Sequence, residues 1–154
     1  MKARIGIILI SSLLMSCGTS TTKTAETSVP KPIVGTWRMI SSTLVEKGDT
    51  TNTEFSKDLS FIKIINDSHF AFLQHDLVKG KGSKAVYSSG GGTYKLDGNT
   101  YTEHLEYCSD REWEGNDFKF TITLNGDTLI QKGIEVVESV GVNRENTERY
   151  VRMK

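Results

Sequence analysis

The side chain best suited to chemistry in this chain is the carboxylate of Glu103, which stands among tyrosines in a stretch that alternates apolar and polar residues. Burial of a carboxylate without a partner destabilises a protein by several kcal/mol, or the carboxylate takes up a proton. Glu103 therefore needs a cation, a hydrogen-bond donor or a ligand beside it. The candidate cations are Arg149 and Arg152, and the candidate donors are Tyr94, Tyr101, Tyr107 and Gln131.

The histidine, cysteine and serine residues form no catalytic or metal-binding pattern. The three histidines, His69, His75 and His104, have separations that match no standard metal-ligand spacing. The sequence contains neither a nucleophile elbow nor a GxxxxGK[ST] phosphate loop. We therefore expect no enzyme, no metal site and no cofactor. Two alternatives stay open: a metal or haem site through His69, and an enzyme that uses Glu103 as a general acid or base.

The first sixteen residues have the pattern of an export signal. Lys2 and Arg4 precede an apolar run over residues 5–14, about half the roughly 20 residues of a spanning helix. Ser16-Cys17-Gly18 resembles the bacterial lipobox, in which the cysteine is acylated and becomes N-terminal. The resemblance implies a lipid anchor on Cys17, and the glycine that follows it implies the outer membrane. An ordinary secretory signal with a chance cysteine is the alternative.

The charge balance and the cysteine count restrict the partners and the covalent links that we expect for this chain. Removal of residues 1–16 takes away Lys2 and Arg4, so 17 basic and 19 acidic residues remain. This balance gives no electrostatic argument for nucleic acid or for an anionic membrane surface as partner. With Cys17 acylated, Cys108 is the one remaining thiol, so no disulfide within the chain is expected.

The chain divides into an anchor, a tether and one domain. Residues 17–32 are rich in Ser and Thr and lack apolar periodicity, which is typical of a flexible tether. Residues 33–154 have the length of a single domain. No internal repeat and no second linker interrupt them.

Apolar residues within this domain recur with period two, and turn dipeptides separate the runs. Asp97-Gly98 and Asn125-Gly126 are strong hairpin signals, and Asn66-Asp67 is a weaker one. Closure removes the exposed edges of such a meander, so we predict an all-β, eight-stranded antiparallel up-and-down barrel. Glycines 90–92 permit a sharp bend within one strand. The predicted strands cover residues 34–45, 59–65, 68–75, 85–96, 99–107, 118–124, 127–133 and 147–153.

Hairpin register assigns side chains to the two faces of these strands. A loop at residues 97–98 pairs Tyr94 with Tyr101, and one at 125–126 pairs Ile122 with Leu129. Trp37 and Met39 share a face of the first strand. For residues 59–65 and 68–75 both faces are apolar, so the inward face stays undetermined. The other predicted inward residues are Tyr94, Leu96, Tyr101, Glu103, Leu105, Tyr107, Phe118, Phe120, Ile122, Leu124, Leu129 and Gln131, whereas Cys108 is predicted to face outward.

Gly35-Thr36-Trp37, taken with an arginine in residues 148–152, resembles the lipocalin and calycin signature. The stretch over residues 90–104 is similar to small lipocalin-like domains of bacterial lipoproteins, especially of the Bacteroidetes type. The resemblance implies a barrel whose tryptophan closes the floor beneath an arginine from the last strand. It also implies a cup for a small hydrophobic or amphipathic ligand. The candidate lining is Trp37, Met39, Tyr94, Tyr101, Glu103, Tyr107, Phe118, Phe120 and Gln131, with Arg149 and Arg152.

A further interpretation competes with a ligand-filled cup. Eight strands leave room either for packed side chains or for one small ligand, and a filled barrel with a structural Glu103–arginine pair is the alternative. A filled barrel would act through loops such as residues 79–84 and 110–117, as a protein-interaction module or an inhibitor. Trp113, an aromatic residue among charges in the second loop, is the candidate anchor for a partner protein.

Overall fold

The computed structural model describes residues 32–55, 58–81 and 85–154. The predicted signal segment, Cys17 and the tether up to residue 31 lie outside this part. No helix among the described residues is long and apolar enough to cross a membrane. Two short 3₁₀ turns, Arg111–Trp113 and Glu138–Val140, accompany the strands. The strands are β1 (Gly35–Glu46), β2 (Asp49–Glu54), β3 (Leu59–Ile65), β4 (His69–Asp76), β5 (Tyr87–Asp97), β6 (Thr100–Cys108), β7 (Asp117–Asn125), β8 (Thr128–Val137) and β9 (Val142–Arg152).

Eight of these strands close into an antiparallel up-and-down barrel, as predicted. The order is β1, β3, β4, β5, β6, β7, β8 and β9, and pairing of β1 with β9 closes the ring. β2 is an additional strand that the sequence did not reveal, because it contains no large apolar residue. It pairs with the second half of β1, from Ser41–Glu54 to Glu46–Asp49. Lys47 and Gly48 connect them with φ of 52° and 89°, as a type I′ turn requires.

The two hairpins predicted from Asp-Gly and Asn-Gly form with a register two residues away from the prediction. Tyr94 pairs with Glu103 instead of Tyr101, and Ile122 pairs with Gln131 instead of Leu129. Gly98, with φ of 57°, stands at the first central position of its turn, where type II′ turns place glycine. A shift of two residues leaves every side chain on its predicted face, since strand side chains alternate with period two.

The inward face of β3 and β4, undetermined from sequence, is the one that carries Lys63. Phe61, Lys63 and Phe70 are buried. On the opposite face, Ile64 and Leu73 are 42% and 38% exposed. The barrel therefore places a lysine in its interior.

A bulge in β6 overturns the predicted orientation of Tyr107 and Cys108. Gly92 pairs with Leu105 while the adjacent Gly91 pairs with Tyr107, so β6 carries one extra residue at this point. A bulge reverses the alternation of the residues beyond it. Tyr107 consequently lies on the outside, 69% exposed, and Cys108 faces the interior.

The floor of the barrel is closed as the lipocalin resemblance implies. The guanidinium carbon of Arg152 lies 4.1 Å from the centre of the Trp37 ring, a cation–π distance. Arg152 also donates hydrogen bonds to the carbonyl oxygens of Val34 (2.8 Å) and Pro32 (2.6 Å). The indole nitrogen of Trp37 donates to the carbonyl oxygen of Ile33 at 2.8 Å. These contacts bind the start of β1 to the end of β9.

Replacement of Gly92 by alanine should destabilise the barrel by about 1–3 kcal/mol, as overpacking does. A Cβ atom at this position would collide with the carbonyl oxygen of His104 in β6. Urea unfolding measures the change in free energy. Ser89→Ala on the same strand is the control, with an expected effect within about 0.5 kcal/mol. Equal stability of the two variants would contradict the close approach.

Candidate functional site

The barrel interior consists of a packed floor and a cavity of about 480 Å³ that is partly open to solvent. This volume falls within the roughly 300–1,000 Å³ of small-molecule sites. Trp37, Tyr101 and Leu129 fill the floor. The apolar lining of the cavity consists of Met39, Leu44, Phe55, Leu59, Phe61, Phe72, Leu105, Trp113, Phe118 and Phe120. Its charged and amide-bearing lining consists of Lys63, Gln74, Glu103, Asp110, Gln131, Glu135, Arg144, Asn146 and Glu148.

Lys63 is the cation beside Glu103. Its Nζ lies 2.7 Å from Glu103 Oε1 and donates a second hydrogen bond to Gln131 Oε1 at 3.0 Å. The predicted arginine partners are therefore wrong: Arg149 is exposed on the outer face and Arg152 closes the floor. Burial alone would lower the pKa of Lys63, but the charges of Glu103 and then Glu148 outweigh it and raise the pKa above 10.5. Lys63 is thus a buried cation.

A second group of polar side chains adjoins this pair along β8 and β9. Glu135 accepts hydrogen bonds from Arg144 Nε and from Asn146 Nδ2, each at 2.7 Å. The same Asn146 nitrogen lies 3.2 Å from Glu148 Oε1, and the Tyr150 hydroxyl donates to Glu148 Oε2 at 2.7 Å. We call Lys63, Glu103, Gln131, Glu135, Arg144, Asn146, Glu148 and Tyr150 the polar cluster.

Protonation within the polar cluster follows burial and neighbouring charge. Burial raises the pKa of Glu148, although Lys63, 3.8 Å away, lowers it. Burial and the charge of Glu148 raise the pKa of Tyr150. Burial and then the charge of Glu103 raise the pKa of Tyr101, whose hydroxyl no described residue reaches with good hydrogen-bond geometry. Both tyrosines are therefore neutral at physiological pH.

Asn146 presents a buried acceptor without a donor. The residue is 5% exposed and lines the cavity. Its Oδ1 has no hydrogen-bond partner within the described ranges. The amide orientation follows from its neighbours, because a flipped amide would place oxygen against the carboxylates of Glu135 and Glu148. An orphan acceptor of this kind is rare in a folded protein and needs an explanation.

Five of the eleven predicted ligand-binding residues line the cavity, namely Met39, Glu103, Phe118, Phe120 and Gln131. Trp37, Tyr94, Tyr101 and Arg152 belong to the floor region, whereas Tyr107 and Arg149 are exposed on the outside. Sequence reasoning missed Lys63 and the polar face of β9. The signal for that face was a side chain with a polar group at every second position of the last strand, namely Arg144, Asn146, Glu148, Tyr150 and Arg152.

Trp113 is half-buried at the cavity and is not the fully exposed anchor that the sequence suggested. Its ring lies 5.8 Å from the ring of Phe118, and the guanidinium carbon of Arg144 lies 5.0 Å from its centre. The second predicted interaction loop, residues 79–84, is described only up to Lys81.

The histidines lie away from the cavity. His69 and His104 are exposed, and His104 Nδ1 lies 2.7 Å from Asp117 Oδ1. No group of three or more His, Cys, Asp or Glu side chains in the described part of the chain could hold a metal ion.

Comparison with protein families matches residues 32–154 to a domain of unknown function, DUF4488. The chain belongs to the DUF4488 family. A search of curated proteins finds no match. The DUF4488 match covers all nine strands and thus both the floor and the cavity.

Replacement of Lys63 by methionine should destabilise the DUF4488 barrel by about 3–5 kcal/mol, because it leaves Glu103 buried without its cation. The measurement is urea unfolding at pH 7. Lys132→Met is the control, since Lys132 pairs with Glu145 at 3.0 Å on the exposed face and such pairs contribute about 0–1 kcal/mol. A loss no larger than that of the control would refute a structural role for the buried pair.

Proposed function

We propose that this protein is a lipid-anchored envelope protein whose barrel holds one small amphipathic molecule. The observation that carries the proposal is a cavity of about 480 Å³ with an apolar wall and a charged side. Eight-stranded barrels either pack their interior or hold one small ligand. Here the floor is packed, and the remaining space combines apolar surface with polar groups that can orient a ligand.

The two kinds of lining indicate that the ligand has an apolar body and a polar end. An apolar body would lie against rings such as Phe55, Phe61 and Phe118, and its burial stabilises the complex by about 25 cal/mol per Å² of apolar surface removed from water. The polar end would meet the polar cluster, where Glu103, Gln131 and Glu148 line the cavity. The Lys63–Glu103 ion pair and the hydrogen bonds to Gln131 and Glu148 hold these side chains in place before the ligand arrives, which lowers the ordering cost of binding.

A barrel that works through its loops is less well supported. Trp113, the best candidate for a protein contact, packs against Phe118 and Arg144 at the cavity. Its ring is therefore better placed to cover a bound molecule than to enter a pocket on a partner.

The ligand is tested by native mass spectrometry, with lipid extraction, on the full chain purified from its own envelope. We expect a co-purifying molecule that is lost in Thr53→Trp, because Thr53 lines the cavity from β2 and a large ring there would occupy it. Thr50→Trp is the matched control, since Thr50 is exposed on the opposite face of the same strand. A clean mass in repeated preparations, or equal retention by both variants, would refute a ligand in this cavity.

The lipid anchor is tested by cysteine replacement. Cys17→Ser should abolish labelling by a radioactive fatty acid and move the protein out of the membrane fraction, because two or more acyl chains are what hold such an anchor stably. Cys108→Ser, which removes the thiol in β6, should leave labelling and fractionation unchanged. Unaltered labelling of Cys17→Ser would show that this cysteine is not the acylated residue.

A further inference from the structure

We propose that the charged side of the cavity takes a protonated amine, so that the ligand is an amphipathic molecule with a cationic, hydrogen-bond-donating nitrogen. The inference rests on the proposed function and names the ligand class of the same site. Two independent features of the polar cluster support it: an excess of carboxylates over cations, and an orphan acceptor.

The first feature is the charge balance. The ionisable lining comprises four acidic and two basic side chains, namely Glu103, Glu135, Glu148 and Asp110 against Lys63 and Arg144. Lys63 pairs with Glu103 at 2.7 Å, and Arg144 pairs with Glu135 at 2.7 Å. For Glu148 the nearest cation among the described residues is Lys63, at 3.8 Å and already paired. Glu148, a half-buried carboxylate of the cluster, therefore lacks a cation of its own.

The second feature is the amide oxygen of Asn146. The Asn146 amide nitrogen donates to Glu135 and Glu148. The atom without a partner is therefore the amide oxygen, an acceptor that lacks a donor. An ammonium group carries up to three N–H donors and no acceptor, so its chemistry suits a site that combines an excess carboxylate with an amide oxygen lacking a donor. A carboxylate or phosphate head group would instead meet acceptors and like charge. A quaternary ammonium would supply the charge without the donor.

Binding of a cation here is coupled to the protonation of Glu148. The titratable groups that act on this carboxylate are Lys63 from β3, Tyr101 and Glu103 from β6, Glu135 from β8, and Tyr150 from its own strand. The lining residues of β1 carry no charge. Burial raises the pKa of Glu148 in the ligand-free protein, and an adjacent ammonium lowers it. The complex therefore binds fewer protons, so affinity for the amine increases as the pH rises through the raised pKa of Glu148. Lys63 and Tyr150, both with raised pKa values, keep their protonation over this range.

The test uses the full chain and four probes with the same ten-carbon tail: decylamine, decyltrimethylammonium, decanol and decanoate, each below its micelle concentration. Isothermal titration calorimetry should show decylamine bound at least about tenfold more tightly than decanol or decanoate, with the quaternary ammonium between them. Glu148→Gln should bring the affinity for decylamine close to that for decanol. Glu145→Gln, on the same strand but paired with Lys132 on the outer face, should retain the preference.

A second measurement needs no variant. Titrations of the unmodified protein with decylamine in two buffers of different ionisation enthalpy should reveal net proton release near the raised pKa of Glu148. Equal affinity for decanol or decanoate, or an absence of proton release, would overturn the amine assignment while the proposed cavity function stands. If none of the four probes binds and the protein from the envelope has a clean mass, the proposed function itself fails.

Discussion

The constraint on which this structure depends is the burial of an ion pair inside a small barrel. Each charge that is removed from water destabilises the fold by several kcal/mol unless its ionic partner and hydrogen bonds are well placed. Lys63 satisfies this requirement through Glu103 and Gln131, which approach it from two other strands. Three strands that are distant in sequence must therefore hold their register for the pair to exist.

The ion pair also lies at the level where the barrel changes from packed to open. The Lys63 nitrogen lies 5.6 Å from the Phe70 ring centre and 5.9 Å from that of Tyr101, and both rings belong to the packed region. Lys63 also lines the cavity. An apolar residue at this place would extend the floor, whereas a charged one needs polar neighbours and so prevents complete packing. The location of the cavity thus follows from the requirement to satisfy Lys63 and the carboxylates around it.

Close backbone approach shapes the wall opposite β9. Gly91 and Gly92 of β5 lie against backbone atoms of β4 and β6, and the bulge in β6 occurs at the same level. Side chains here would separate the strands. Beyond the bulge, Cys108 replaces Tyr107 on the inward face, so a small side chain takes the place of an aromatic ring and leaves space within the barrel.

The sequence by itself determined the barrel, its floor and most inward faces. Alternation and turn glycines are local signals, and an error of two residues in hairpin register changes no face, so Glu103, Phe118 and Gln131 were placed correctly. Tertiary structure alone decided the partner of Glu103. Both faces of β3 are apolar, and only closure of the ring turns Lys63 inward. The second half of β1 extends beyond β3, and β2 forms by pairing with that half. Pairing across the closed ring and a bulge depend on contacts between distant segments, which no local pattern encodes.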